Sequence, residues 1–184
     1  MTNKLTQKEL NHANQHLLKD MVVAICNQDQ QQAQVLLSWI SELISGQNSA
    51  NKKAVIVECE HTFMAEGLSC CINYAARNYV SNKKSTYRST SSAIFTHPEI
   101  VNENNFIYFE DCDNSALAIN EIDDYKKALV KAIKKSDAYI LIYTKDKDRI
   151  VSDKDKDLFQ ILKPDPKFAD EIYQRAMSRH NYED

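Results

Sequence analysis

Glycine is scarce in this chain of 184 residues, which contains only Gly46 and Gly67. Average usage would give about thirteen glycines in a chain of this length. Two isolated glycines cannot form a P-loop or a dinucleotide-binding fingerprint, because both motifs need several glycines at fixed spacing. The chain also has only three prolines. With so few turn-forming residues, a sandwich or barrel of many short strands is not expected.

Several other kinds of segment are missing. No run of about 18 apolar residues occurs, so we expect no membrane span. The N-terminus, MTNKLTQKEL, is polar and lacks the apolar centre of a signal peptide. The formal net charge is −3, and no part of the chain is strongly basic. Nucleic-acid binding therefore has no electrostatic basis in this sequence.

The five cysteines do not have the spacing of metal ligands. No CxxC pair occurs, which argues against a zinc knuckle and against a thioredoxin-type redox motif. We interpret the cysteines as reduced thiols, and this interpretation predicts a cytoplasmic protein.

Residues 1–46 are predicted to form an N-terminal helical hairpin. Apolar residues recur every three or four positions over residues 4–26 and again over residues 30–45, which is the period of an amphipathic helix. Gly46 is well placed to end the second helix. The composition of residues 47–53 indicates a linker.

The second predicted helix contains Trp39, the only tryptophan of the chain. A tryptophan in this position either fills the core of the domain or anchors a partner. The hairpin stands outside the pattern of the rest of the chain and so offers a surface for assembly. We therefore predict that Trp39, Leu36 and Ile40 bind a protein partner or a second copy of the chain.

Residues 54–184 alternate between strand and helix patterns. The predicted strands are residues 54–57, 106–109 and 138–143, and the predicted helices are residues 63–80, 115–135 and 166–180. Residues 81–92 are polar and indicate a loop, although alternation within them also permits an edge strand. Residues 145–157 indicate a loop or the start of a helix. The alternation predicts a three-layer α/β domain, flavodoxin-like or Rossmann-like, with a mostly parallel sheet.

In an open parallel sheet, ligands bind outside the carboxyl ends of the strands. Acidic residues occupy those positions in this sequence: Glu58, Glu60, Glu110 and Asp111. Carboxylate oxygens suit Mg²⁺, so Glu60 and Asp111 are candidate metal ligands. The other interpretations are that these strand ends simply face solvent, or that they form a rim that binds protein.

The segment VIVECEHTFMAEGL, residues 55–68, resembles the start of bacterial response-regulator receiver domains that carry a helix-turn-helix output. Those domains begin with an apolar strand, two acidic residues and a helix that starts with a Glu-Gly-Leu-like sequence. Residues 109–111 and 136–142 resemble the second and third receiver strands. The resemblance implies a flavodoxin-like regulatory domain. Cys59 and Thr144 stand at an acidic and at the phosphoacceptor position, which implies a degenerate receiver that works without phosphorylation.

The segment AIKKSDA, residues 132–138, resembles the turn before a central strand in Toll/interleukin-receptor-type domains and related nucleoside-processing folds. Those enzymes need a glutamate on a following helix to cleave a glycosidic bond. After Thr144 the sequence has no glutamate before Glu171. This resemblance therefore implies an interaction role rather than catalysis.

Together these observations predict a non-catalytic cytoplasmic regulatory or adaptor module that binds another protein or itself and needs no cofactor. One alternative is a nucleotide-processing or Mg²⁺-dependent enzyme that uses the acidic strand ends. A second alternative is a secretion or assembly chaperone.

Overall fold

The computed structural model describes residues 7–45, 54–79, 85–89, 93–96, 98–110, 119–171 and 174. Within these residues the strands are β1 (Ala54–Glu58), β2 (Ser85–Ser89), β3 (Asn104–Glu110), β4 (Tyr139–Thr144) and β5 (Phe159–Leu162). The helices are α1 (Gln7–Ile25), α2 (Gln30–Ser45), α3 (Phe63–Tyr79), α4 (Ala93–Thr96), α5 (Ile100–Glu103) and α6 (Ile119–Lys135). Residues 166–171 are also helical.

The described strands form one parallel sheet in the order β2-β3-β4-β1-β5. Helices α1, α2 and α3 pack on one face of the sheet, and α4, α5 and α6 pack on the other. The predicted three-layer α/β fold with a parallel sheet is thereby confirmed. The strand order differs from the 2-1-3-4-5 order of flavodoxin and the 3-2-1-4-5-6 order of Rossmann folds. The fold therefore resembles flavodoxin and Rossmann folds in its helix–sheet–helix layers and not in its strand order.

The helices lie on opposite faces because the connections between strands run along the sheet in opposite directions, perpendicular to the strands. From β1 the chain moves through α3 to the far edge strand, β2, and then returns through β3 and β4. Right-handed crossovers place the connections of these two opposite movements on opposite faces. The connection from β4 to β5 runs in the same direction along the sheet as the steps from β2 to β3 and from β3 to β4. Its residue Ile150 accordingly packs on the same face as α6.

The central strands are buried on both sides, as strands of a parallel sheet usually are. Side chains of β1 alternate with period two, so that Val55 and Val57 point towards α1–α3 while Ile56 points towards α6. All six residues of β4 are buried. This explains the nearly continuous apolar runs that mark these strands in the sequence.

Helices α1 and α2 belong to the same hydrophobic core as the sheet and α3. Trp39 is only 6% exposed, and its ring makes edge-on contacts with Tyr139 and Phe106 at centroid distances of 5.2 and 6.4 Å. Leu36 and Ile40 are buried in this core as well. These three side chains are thus not available as an exposed partner-binding surface in this structure, because they cover the apolar face of the sheet.

Two strands of the structure differ from what the sequence predicts. Residues 85–89, within the segment interpreted as a loop, form the edge strand β2, and residues 159–162, for which no strand was predicted, form the opposite edge strand β5. Between β4 and β5 the chain makes two 3₁₀ turns, Lys147–Arg149 and Asp153–Leu158. The predicted linker 47–53 and the end of the final predicted helix lie outside the described residues. Among the described helices we find none whose length and apolarity would let it cross a bilayer.

Candidate functional site at the carboxyl ends of β1 and β4

Strands β1 and β4 are neighbours whose following segments leave to opposite faces of the sheet. Helix α3 follows β1 on one face, and the segment with Ile150 follows β4 on the other. Such a divergence is the topological switch point of an open α/β sheet, and the crevice outside it is the usual ligand site. Glu58 and Thr144 are paired in register at this edge. The candidate site therefore comprises the residues that follow these two.

Glu58 ends β1 and holds two segments that are distant in sequence. Its Oε2 lies 2.7 Å from Lys163 Nζ, and its side chain is only 15% exposed. Its Oε1 accepts a hydrogen bond of 3.3 Å from the backbone N–H of Lys147. A carboxylate with so little solvent needs such partners. Glu58 therefore ties the segments that follow β4 and β5 to the end of β1.

The loop between β1 and α3 is fixed by backbone contacts. The N–H of Cys59 donates to the carbonyl of Thr144 at 3.1 Å, which extends the β1–β4 pairing beyond the strand. The hydroxyl of Tyr143 donates to the carbonyl of Glu60 at 2.9 Å. The thiol of Cys59 donates to the carbonyl of His61. Each of these contacts satisfies a polar group of the loop with a partner inside the protein.

Burial raises the pKa of the Cys59 thiol to about 11, and the negative charge of Glu60 adds to this effect. Reactive cysteines have a lowered pKa instead, because the thiolate is the nucleophile. Cys59 is thus a poor nucleophile at neutral pH. The residue types of a Cys-His pair occur in this loop, but the thiol is committed to a carbonyl rather than to an imidazole nitrogen.

The segment after β4 is held by its own polar side chains. Thr144 is buried, and its hydroxyl both donates to the carbonyl of Asp146 and accepts from the Asp146 N–H, each at 3.1 Å. The carboxylate of Asp146 accepts from the N–H of Asp148 and so caps the first 3₁₀ turn. Lys147 and Asp148 form an exposed ion pair, which raises the pKa of Lys147 and lowers that of Asp148.

The helical segment that begins at residue 166 lies beside the β1–α3 loop. His61 Nε2 lies 3.0 Å from Asp170 Oδ1. The same region is attached to the turn between α1 and α2, because Asn27 donates to the carbonyl of Lys163 and accepts from the N–H of Asp165 at 2.6 Å. Chain segments from both ends of the sequence therefore meet at this edge of the sheet.

The metal-site hypothesis names Glu60 and Asp111. Glu60 is exposed in the loop after β1, and Asp111 lies outside the described residues. In the part of the chain that is described, no three histidine, cysteine or acidic side chains are grouped closely enough to hold a metal ion. The strand order also places β4 between β1 and β3, so the ends of those two strands are about 10 Å apart.

No protein-family model, curated protein or solved structure matches this chain. Its function is therefore inferred from the geometry of the site and of the surface.

Several residues that shape this edge were not predicted from the sequence: Asn27, Lys147, Lys163 and Asp170. They carry no motif, and their role depends on β5 lying next to β1. The only local signal was the acidic character of the residues after β1. That signal indicates the carboxyl edge of the sheet, but not the partner of Glu58.

Proposed function

We propose that this chain is a non-catalytic regulatory or adaptor module that acts by binding another protein. The observation that carries the proposal is that the polar groups at the ends of β1 and β4 are bonded to other groups of the chain. The Tyr143–Glu60 hydrogen bond and the extended β1–β4 pairing join the ends of these two strands, and the Glu58–Lys163 ion pair joins β1 to the residue after β5. These contacts lie at the edge of the sheet where α/β enzymes bind their ligands.

The chemistry of the residues at the crevice supports the same proposal. A general acid must have a proton to donate, a general base must be free to accept one, and either group must lie within reach of the substrate. Here the carboxylate of Glu58 forms an ion pair with an ammonium group through Oε2 and accepts a hydrogen bond from a backbone N–H through Oε1. The Cys59 thiol has a pKa raised to about 11. These groups hold the loops in place, as the residues of a rigid binding scaffold do.

Two parallel measurements test the proposal. The tagged chain is first purified from cells that produce it, and bound proteins are quantified by mass spectrometry and native mass measurement. A protein partner in stoichiometric amount is the expected result. The purified chain is then titrated with Mg²⁺ and with nucleotides by calorimetry. Saturable binding accompanied by turnover would overturn the proposal in favour of the enzyme alternative.

The double variant Glu60→Ala and Asp111→Ala separates the two functions further. We expect it to keep its fold and its protein partner, because Glu60 is exposed and the Glu58–Lys163 pair remains intact. Loss of an enzymatic activity in this variant, with an unchanged circular dichroism spectrum, would support the metal-dependent enzyme instead.

A further inference from the structure

We propose that the cleft between α4–α5 and the second half of α6 binds a partner segment in which acidic residues flank an apolar side chain. This inference rests on the proposed function, since it names the surface and the chemistry of the partner. We call this surface the α6 cleft. It is lined by Ile94, Pro98, Val101, Asn102, Ala128, Lys131, Ala132, Lys135 and Ser136, and its volume is about 380 Å³.

The floor of the α6 cleft is apolar. Ile94, Val101 and Ala132 form part of the core beneath it and are 6–8% exposed, with Ala128 partly buried beside them. A concave apolar surface with a volume of about 300 Å³ or more is large enough for one side chain of a peptide or a small ligand. The cleft therefore provides a place for an apolar anchor.

The rim of the α6 cleft is positively charged. Both charged residues that line it, Lys131 and Lys135, are exposed lysines one helical turn apart. Neither ammonium group makes an ion pair with any residue that the structure describes. By contrast, Lys127 on the same helix lies 3.2 Å from Asp124.

Charge is segregated along α6. Its acidic residues, Glu121, Asp123 and Asp124, all lie in the first six positions, and all its lysines follow them, from residue 126 to residue 135. Lysines in the last turn also stabilise the helix dipole, which accounts for Lys134 and Lys135 but not for Lys131. Because the whole chain has a net charge of −3, this basic rim is a local feature. Charge complementarity then selects an acidic partner, and the apolar floor selects one that carries an apolar anchor.

A displayed library of random peptides of about twelve residues tests the assignment. It is selected on the full chain and counter-selected on the double variant Lys131→Glu and Lys135→Glu. The matched control is Lys154→Glu and Lys156→Glu, which makes the same change of net charge on the exposed 3₁₀ turn. Thermal unfolding of both variants verifies that they fold.

We expect the enriched peptides to be acidic with a conserved apolar position. Their affinity should fall about tenfold or more in the Lys131→Glu and Lys135→Glu variant and at raised salt, and change little in the control. Amide shifts of the bound chain should cluster in residues 93–102 and 128–136. Enrichment of neutral or basic peptides, equal binding to both variants, or shifts elsewhere would overturn the assignment.

Different experimental results would contradict the α6 cleft as the binding surface and the proposed protein-binding function. If a stoichiometric protein partner cross-links to residues away from the α6 cleft, the protein-binding role stands and the cleft assignment is wrong. A cross-link to the cleft of a second copy of this chain, or a preference of the cleft for anionic lipid vesicles over peptide, would also overturn the assignment. Turnover of a nucleotide would instead overturn the proposed function.

Discussion

The carboxylate of Glu58 lies 2.7 Å from the ammonium group of Lys163, although 104 residues separate them along the chain. The pair exists because β5 lies next to β1 in the sheet, with its last residues level with the end of β1. Glu58 is largely buried, whereas Lys163 reaches it from the exposed side. The pair lies at the carboxyl edge of the sheet, which is the edge where many α/β folds bind their ligands.

Removing the ammonium group should destabilise the fold, because it leaves a mostly buried carboxylate without its charged partner. We expect Lys163→Met to lower the free energy of unfolding by about 1–3 kcal/mol. The matched control is Lys127→Met, which breaks the exposed Lys127–Asp124 pair and should cost less than about 0.5 kcal/mol. Urea denaturation measures both, and equal effects would contradict a structural role for the Glu58 pair.

The turn between α1 and α2 contains two neighbouring residues with positive φ, Asn27 at 51° and Gln28 at 62°. Asparagine tolerates this region better than most residues. The side chain of Asn27 also forms two hydrogen bonds, one to the carbonyl of Lys163 and one from the N–H of Asp165. Gln28 is exposed and carries the conformational strain with no comparable contact described for its side chain.

The two positions should therefore respond in opposite directions. Asn27→Ala removes two hydrogen bonds and keeps the strain, so we expect a loss of about 1–2 kcal/mol of stability. Gln28→Gly removes the strain and should gain about 0.5–1 kcal/mol. Chemical denaturation of the two variants checks both signs. A destabilising effect of Gln28→Gly would show that this turn is not strained in solution.

Trp39 provides a test between core packing and partner binding. Its ring is buried against Tyr139 and Phe106. Replacement by alanine should lower the free energy of unfolding by about 3–5 kcal/mol, and replacement by phenylalanine should cost less. Thermal and chemical unfolding measure the loss. A Trp39→Ala variant with unchanged stability but no bound partner would restore the interpretation of Trp39 as an interface residue.

The sequence predicts the buried parts of this fold better than its edges. Strands β1, β3 and β4 are apolar runs, since both faces of each are covered by helices, and their positions were predicted to within a few residues. Among the described strands, β2 and β5 each pair on one side only. Their short, partly polar sequences, STYRS and FQIL, carry no such signal, so the tertiary contacts decide their conformation.

The candidate site, too, can be predicted only in part from the sequence. The position of Glu58 at a strand end follows from the apolar run before it. The pairing of Glu58 with Lys163 requires the strand order, which local patterns do not contain. The sequence likewise does not decide whether Trp39 is buried in the core or exposed at an interface, because an apolar helix stripe fits both equally well.

We expect the buried thiols to make the stability of the chain depend on pH in the alkaline range. Burial, with a smaller contribution from Asp29, raises the pKa of Cys26 from 9.0 to about 11, and burial raises that of Cys59 to the same value. The unfolded chain therefore releases these protons first as the pH rises. The stabilisation is present in full below pH 9 and is lost progressively up to pH 11.

We expect the free energy of unfolding under reducing conditions to fall by on the order of 1 kcal/mol for each pH unit between pH 9 and 11. Urea denaturation at several pH values measures this slope. Cys26→Ala and Cys59→Ala should each flatten it, since alanine has no proton to release in either state. Tyr139, whose pKa burial raises to about 12 from 10.0, adds to the loss at the upper end. A Cys26→Ala and Cys59→Ala double variant with the full slope would show that other groups control alkaline unfolding.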